Sequence, residues 1–429
     1  MRAISDERGT ADYWAGRIQE RERRALAEDE LREAERRIRE NTGSLVDLSS
    51  YPGTVPGDAL QEMILASQQD FRGEKNHAGH YDADGSPISP HDFLDAQENC
   101  NLTSIGIGNA CAQATVRYAL TTERTNLRLL PTRQNYFDTR DFRHYDDLQG
   151  TALDPAEPLA VLHESRDGEF VFAQARHYAG WVPIGSVAFT KRPAWEKYIC
   201  PKEFLVVTEH RKVIQVDGGG KLLFQMGAIL PLCGPKRGSD GKWRVWVPVR
   251  EGGAVHEAEA HIADDGSVHK GWLPCAQENF IRQAFRFLGD PYGWGGMEDS
   301  VDCSSFVGDV YRSMGIELPR DADQQETAMP LSVQLSGLSG EERREAMEEI
   351  PAGALLFLPG HVMMYLGKDE KGTPIAIHSA SSFYVFSGGR SEKQYIRRVL
   401  VSDLHFRNRK GAEALDALTS IGFLKRGGT

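Results

Sequence analysis

The chain has 429 residues, 40% hydrophobic and 9% aromatic, which is more than one ordinary core holds and calls for two to four domains. Its 50 basic and 62 acidic residues leave a net charge of −12, the opposite of the basic stripe that a nucleic-acid binder carries. No run of about 18 apolar residues occurs, so no membrane span is expected. The polar stretch Met1 to Gln19 lacks the apolar segment of a secretory signal. As written, the chain is expected in the cytoplasm; a trimmed or misassigned start would move it to the periplasm or cell envelope.

Residues 1–120 read as a helical, loop-rich N-terminal region. Residues 14–40 form one charged helix with Ala27, Leu31, Ala34 and Ile38 on a stripe. That stripe lasts under two heptads and suits either a neighbouring surface or a second helix in a coiled coil. Between 45 and 120, Gly and Pro turns alternate with short helical stretches such as Ala59 to Gln69.

The texture becomes β at about 121. Leu159-Ala160-Val161-Leu162 and Phe170-Val171-Phe172 flank the turn Arg166-Asp167-Gly168. Residues 196–275 repeat that texture, with Phe204-Leu205-Val206-Val207, the turn Asp217-Gly218-Gly219-Gly220 and Trp243-Arg244-Val245-Trp246-Val247. Both segments close on one tetrapeptide, Gly180-Trp181-Val182-Pro183 and Gly271-Trp272-Leu273-Pro274. Duplication of a small β-barrel ending in a Gly-Trp strand accounts for this, over 121–195 and 196–275; coincidence of a common pattern is the alternative.

Helical spacing returns after Pro274. Phe280, Ile281, Ala284, Phe285 and Leu288 mark one helix, stopped by Gly289-Asp290-Pro291. The next carries Cys303, Phe306, Val307, Val310, Tyr311 and Met314 on one face, with Asp302 as its N-cap and Gly315 as its stop. Strand-like runs follow at Ala354–Leu358, His361–Leu366, Ile375–Ile377 and Arg397–Leu400. Residues 324–350 read as a long surface insertion with a polar helix at Glu341–Glu349.

A thiol in the first turn of a helix, with imidazoles delivered later by strands, is what a cysteine hydrolase needs. The helix dipole favours the thiolate of Cys303. His361 would take its proton and return it to a leaving amine, and His378 would hold the other ring nitrogen of His361. The backbone N–H of Cys303 and the Tyr292 hydroxyl could donate to a developing oxyanion. Asp302 raises the pKa of the neighbouring thiol, so it needs a reason to be there. It serves as the N-cap, as a site for a substrate ammonium, or as both. An activated thiolate predicts rapid alkylation of Cys303 near neutral pH, ahead of the other cysteines. Spacing alone favours a buried structural cysteine, since Cys303 lies on the apolar stripe of its own helix. The combination of Pro291-Tyr292-Gly293-Trp294-Gly295-Gly296 with Asp302-Cys303-Ser304-Ser305 and the two histidines decides for chemistry.

The other five cysteines, Cys100, Cys111, Cys200, Cys233 and Cys275, show no C-x-x-C spacing. They are expected reduced and buried; Cys100 and Cys111 could pair in an oxidising compartment. No metal or other cofactor is expected, since no ligand cluster has the short spacings of a zinc site.

These stretches, with Leu318-Pro319-Arg320-Asp321, the His361 strand and His378, resemble the NlpC/P60 family of papain-like cysteine peptidases over residues 276–405. The whole layout resembles its γ-D-glutamyl-L-diamino acid endopeptidase subgroup. The resemblance implies an α+β chain in which a papain-like catalytic domain at 276–429 follows two SH3-like barrels and the helical region. It implies Cys303 as nucleophile, His361 as base, His378 as third polar residue and Tyr292 near the oxyanion. Trp294, Asp302 and Ser304 would line the substrate cleft, and Tyr178 of the first barrel would meet an N-terminal L-Ala. The implied partners are murein peptides or peptidoglycan fragments with a free amine, cut at the γ-D-Glu–diamino acid bond. Where the family has serine after Arg-Asp, this chain has Ala322, which removes one substrate hydrogen bond. A papain-like amidase or acyltransferase, or a non-catalytic wall-binding protein using its barrels, are the rival readings.

Overall fold

The computed structural model describes residues 4–19, 25–68, 79–105, 112–387 and 390–425. Cys111 lies outside them, and with it the Cys100–Cys111 pairing.

The N-terminal 120 residues are divided between two cores. The expected single helix at 14–40 is two, α1 (Ala11–Arg17) and α2 (Glu28–Asn41), with Ile18 already extended and Ala27 at the N-cap instead of on the stripe. Trp14, Ile18 and Ile38 are buried in the core of the catalytic domain, so the stripe lies on a neighbouring surface. Arg8 pairs with Asp369 at 2.8 Å and the Ile4 N–H donates to the Val401 carbonyl at 2.9 Å, strapping the segment to that domain. The next segment turns to the barrels. Strand β1 (Thr54–Pro56), α3 (Gly57–Ala66), α4 (Pro90–Glu98) and β2 (Gln113–Thr115) send Leu60, Ile64 and Phe93 into the barrel core, and β1 pairs with β2. Ser89 and Asp92 cap α4 reciprocally, with Pro90 at its first turn.

The first barrel runs through β3 (Arg117–Thr121), β4 (Thr125–Arg128), β5 (Gln149–Leu153), β6 (Pro158–Glu164), β7 (Phe170–Gln174), β8 (Ala179–Pro183) and β9 (Val187–Thr190), in spatial order β9-β3-β6-β7-β8-β4-β5. The β4–β5 loop is held from inside by Asp146. This buried carboxylate takes the Arg128 guanidinium at 2.9 Å, the Asn135 amide and the backbone N–H groups of Tyr136 and Leu148. Helix α5 (Arg192–Ile199) leads to β10 (Phe204–Val207), β11 (Arg211–Gln215), β12 (Lys221–Gln225), β13 (Ile229–Pro231), β14 (Trp243–Glu251), β15 (Ala254–Ile262) and β16 (Val268–Lys270). These form a β13-β10-β16 sheet, a β11–β12 hairpin and a β14–β15 hairpin that extends the first barrel's sheet through β9.

The two Gly-Trp tetrapeptides are not equivalent. Trp181 sits in β8 and is fully buried, whereas Trp272 follows β16, is 37% exposed and packs edge-on against Phe204. The shared tetrapeptide therefore does not mark a common closing strand.

The catalytic domain comprises α6 (Gln277–Arg286), α7 (Cys303–Arg312), α8 (Ala322–Ala328), β17 (Leu331–Gln334), α9 (Gly340–Ala346), β18 (Leu355–Leu358), β19 (His361–Lys368), β20 (Pro374–Ser387), β21 (Arg390–Asp403), α10 (Ala414–Ala417) and β22 (Ser420–Phe423). Its six strands are all antiparallel in the order β17-β22-β18-β19-β20-β21. Alternation along each strand loads both faces. Leu355, Phe357, Val362, Met364 and Ile377 meet Phe280, Ile281, Phe306, Val307 and Val310 of α6 and α7 on one side. Leu356, Met363, Tyr365 and Ala376 pack with Met347, Leu415 and Leu418 on the other. Leu288 leaves the expected stripe and is 41% exposed, because α6 ends at Arg286. The 324–350 segment is no mere surface insertion, since it supplies the edge strand β17 and buries Gln325, Ala328, Met329, Leu335 and Met347. No helix among the described residues is long and apolar enough to cross a membrane.

Candidate active site

Cys303 is the first residue of α7. Asp302 caps that helix reciprocally with Ser305, accepting the Ser305 N–H at 2.9 Å while the Ser305 hydroxyl takes the Asp302 N–H at 3.0 Å. Facing it, β18 and β19 form a tight hairpin that pairs Leu358 with His361 and sets His361 at the start of its strand. The thiol reaches the backbone N–H of Val362, the next residue along, as well as that of Ser304.

From His361 a chain of bonds runs into the sheet. His361 Nε2 is 2.8 Å from His378 Nδ1, and His378 Nε2 is 2.9 Å from Ser402 Oγ. Ser402 stands two residues from Leu400, the β21 partner of His378, and so shares its face of the sheet. Phe406 stacks on the His378 ring, and both His378 and Ser402 are fully buried. If His361 Nδ1 is to accept a thiol proton, Nε2–H must donate to His378 Nδ1, which leaves His378 Nε2–H to donate to the serine. Ser402 thus closes the tautomer chain that chemistry requires.

The Tyr292–Asp299 loop lines the other side. Gly293 has no room for a side chain, since a Cβ there would lie 2.1 Å from the Met297 carbonyl, and Gly296 (φ +85°) would push one into Ala152 of the first barrel at 2.5 Å. Tyr292 is 5% exposed, and burial together with the nearby Cys303 and Asp302 raises its pKa well above that of free tyrosine. It therefore keeps the proton an oxyanion donor needs. Trp294 sits on the outer rim, 36% exposed, its indole N–H on the Asp146 carbonyl and its ring 5.7 Å from that of Tyr145.

Asp302 is fully engaged by the protein itself. Its Oδ2 accepts from Arg320 at 2.6 Å and from the Gly295 N–H at 3.0 Å; its Oδ1 accepts from Ser304, Ser305 and Arg320. Burial opposes the charge, but the Arg320 guanidinium and these donors outweigh it and hold the carboxyl below its ordinary range. Arg320 also donates to Ser304 Oγ at 2.9 Å and to Thr151 Oγ1 of β5 at 2.8 Å. Tyr178 lies half-buried in that corner, its ring against Gly150 and within the field of Arg320. The structure thus gathers Cys303, His361, His378, Tyr292, Asp302 and Ser304 at one centre, with Tyr178 at its barrel end and Trp294 at its rim. Ala322 opens α8 and packs against the catalytic core.

The electrostatics correct one expectation. Burial, and next the charge of Asp302, push the Cys303 thiol up to about 12, while burial pushes the His361 imidazole down to about 4. The closed site holds a neutral thiol beside a neutral imidazole, not a standing thiolate. With Cys303 8% exposed and Cys200 on the surface, alkylation at neutral pH should reach Cys200 first. Cys233 is also only half-buried, so two of the five cysteines expected in the interior lie outside it.

Sequence reading missed Arg320, Ser402 and the buried Gln325, whose amide donates to the carbonyls of Ser304 and Pro319. Arg320 carried a signal in its Pro-Arg-Asp setting; Ser402, in a run of strand residues, carried none.

The model of the NlpC/P60 family matches residues 289–398, and an SH3 domain model of the SH3b1 type matches 135–183. The γ-D-glutamyl-L-lysine dipeptidyl-peptidase of Bacillus subtilis (strain 168) is 31% identical over 254 residues, which cover 54% of this chain and 79% of that protein. The protein of the same name from Bacillus cereus is 26% identical over 44% of this chain and 54% of its own length. A dipeptidyl-peptidase 6 of Lysinibacillus sphaericus is 31% identical over 93 residues, 30% of its length. Among solved structures, an NlpC/P60 endopeptidase from Photobacterium damselae subsp. piscicida superposes with a TM-score of 0.77 over 98% of this chain and 97% of that one, at 17% identity, a likeness of fold. With a catalytic helix, a histidine-bearing sheet and an SH3b barrel in one chain, and a relative matched over most of its length, this protein belongs to the NlpC/P60 family of peptidases.

Proposed function

We propose that the protein is a metal-independent cysteine endopeptidase that hydrolyses the γ-D-glutamyl–diamino acid bond of murein peptides bearing a free N-terminal L-Ala, in cell-wall peptide recycling or remodelling. The observation that carries this reading is the hydrogen-bonded series His361–His378–Ser402, set on the sheet opposite the Cys303 that opens α7, with the thiol at the backbone N–H of Val362 next to His361.

Substrate carbonyl carbon bonds to Cys303 Sγ as the thiol proton passes to His361 Nδ1. The oxyanion is met by the Cys303 N–H and the Tyr292 hydroxyl. His361 then gives its proton to the amine of the diamino acid, the C–N bond breaks, and a thioester remains. Water attacks the thioester, losing a proton to His361; collapse frees the γ-carboxyl and restores the thiol.

Asp302, its oxygens already engaged by Arg320, Ser304, Ser305 and the Gly295 N–H, holds the start of α7 in place, and the Tyr178 corner at the barrel end of the cleft is the part of this reading that favours a free amine over an acylated one. The test is mass spectrometry of products from L-Ala-γ-D-Glu-diaminopimelate beside its N-acetylated copy. Free diaminopimelate from the first alone is expected, with Cys303→Ala inactive and folded. Release of free diaminopimelate by that variant would refute the nucleophile, and products from the acetylated copy would refute the amine requirement.

A further inference from the structure

Aromatic rings stand in file from the nucleophile outward. The Tyr292 centroid is 6.0 Å from that of Tyr145, Tyr145 is 5.7 Å from Phe142, and Phe142 is 4.1 Å from Tyr395. Exposure rises along the file, from 5% at Tyr292 to 47% at Tyr395. The rings come from three separate segments: the loop before α7, the β4–β5 loop and β21. A seal between barrel and catalytic domain would bury its outermost member, and this one leaves nearly half of Tyr395 to solvent.

The outer end is positively charged in an otherwise acidic chain. Residues 390–398 hold Arg390, Lys393, Arg397 and Arg398 against one acid, Glu392. The Lys393 ammonium lies 4.8 Å from the Tyr395 centroid and the Arg397 guanidinium 5.9 Å from that of Phe142. Arg397 adopts φ +42°, a strained conformation for a branched-free but bulky residue, and from it bonds the Tyr292 carbonyl and Glu298. That ties the outer end of the file to the residue beside the thiol.

We propose that Tyr145, Phe142, Tyr395 and Lys393 form a subsite for the part of a murein peptide beyond the scissile bond, taking an extension that ends in a free carboxylate. This rests on the function proposed above, which gives the amine end to the Tyr178–Arg320 corner and so leaves this end for the leaving group. Aromatic faces accept the small apolar side chains of such an extension, and the basic strand accepts its terminus.

Binding to full-length Cys303→Ala protein tests it without needing turnover. Calorimetry would compare L-Ala-γ-D-Glu-diaminopimelate with the same peptide extended by D-Ala-D-Ala. The longer peptide is expected to bind about tenfold more tightly, and adding Tyr395→Ala or Lys393→Ala is expected to remove most of that gain while moving the tripeptide by less than about twofold. Equal affinities for the two peptides, or equal losses on both, overturn the subsite. Hydrolysis by the unsubstituted protein is scored separately: length-dependent binding that needs Tyr395, with no cleavage of either peptide, would sink the proposed chemistry and leave the subsite standing.

Discussion

The first barrel and the β10–β16 unit that follows it, the second barrel expected from the sequence, approach the same loop before α7 in the same way and with different consequences. Gln149 of the first donates its amide to the Gly295 carbonyl at 3.0 Å, and Gln225 of the second donates to the Asp299 carbonyl at 3.1 Å. Gly295 is the residue whose N–H holds Asp302; Asp299 is the last residue of that loop and pairs with Arg124. The first barrel also supplies Thr151 to Arg320 and Tyr145 to the aromatic rim, whereas the second meets the back of the domain through Glu209–Arg286 and Trp272 against Gly315. One barrel therefore shapes the cleft and the other braces it. Fold alone does not say which barrel does which; the partner of each buried polar group does.

The strongest way to break that contrast is Arg320→Ala. It leaves the Asp302 carboxylate buried without its guanidinium and cuts the Thr151 link, a loss of about 3–5 kcal/mol for a buried pair deprived of one member. Chemical denaturation should show this, and peptide hydrolysis should fall with it. A near-unchanged midpoint would mean that the bridge between barrel and site carries no weight.

The tryptophans come next. Trp181→Ala empties a fully buried position and should cost about 3–5 kcal/mol, whereas Trp272→Ala, already 37% exposed, should cost about 1 kcal/mol. Equal shifts in melting temperature would restore the equivalence that the shared tetrapeptide suggested.

The glutamine pair is subtler. Gln149→Ala should lower kcat/KM about tenfold by loosening the Gly295–Asp302 contact, at a cost of about 1 kcal/mol in stability. Gln225→Ala should match it in stability and leave kcat/KM within about twofold. Parallel losses of activity would show that both barrels shape the cleft.

What could be seen in the chain beforehand follows from range. The catalytic helix announces itself through Asp302, the apolar spacing from Cys303 to Met314 and Gly315, all within about four turns. His361 and His378 stood out as polar residues in apolar runs. Arg320 pairs across 18 residues and Ser402 across 24, and no local pattern encodes such partners. The division of residues 1–120 between two cores is of the same kind. Trp14 is buried against the catalytic domain, although nothing near it in sequence says so. The upward shift of the Cys303 thiol was not legible for a related reason, since a helix start is local but burial is not.

The effect that only a pH series reveals concerns Asp309, on the face of α7 turned to the first barrel. It pairs with Arg312, which also bonds Asp154 and Glu157 of that barrel and the Met226 carbonyl of the second. Burial raises the Asp309 carboxyl to about 7, against 3.8 in an unfolded chain, and its Oδ2 has no hydrogen-bond partner. The folded state binds this proton more tightly than the unfolded one, so the stabilisation it gives is complete below about pH 4 and fades as pH rises through 7. Asp309→Asn removes that dependence. The variant's melting temperature relative to the native protein should climb between pH 4 and pH 7 and level off above, by at most about 4 kcal/mol, at about 1.4 kcal/mol per pH unit. A difference that stays flat with pH would mean that Arg312 keeps Asp309 ionised throughout and that the first barrel is clamped by charge alone.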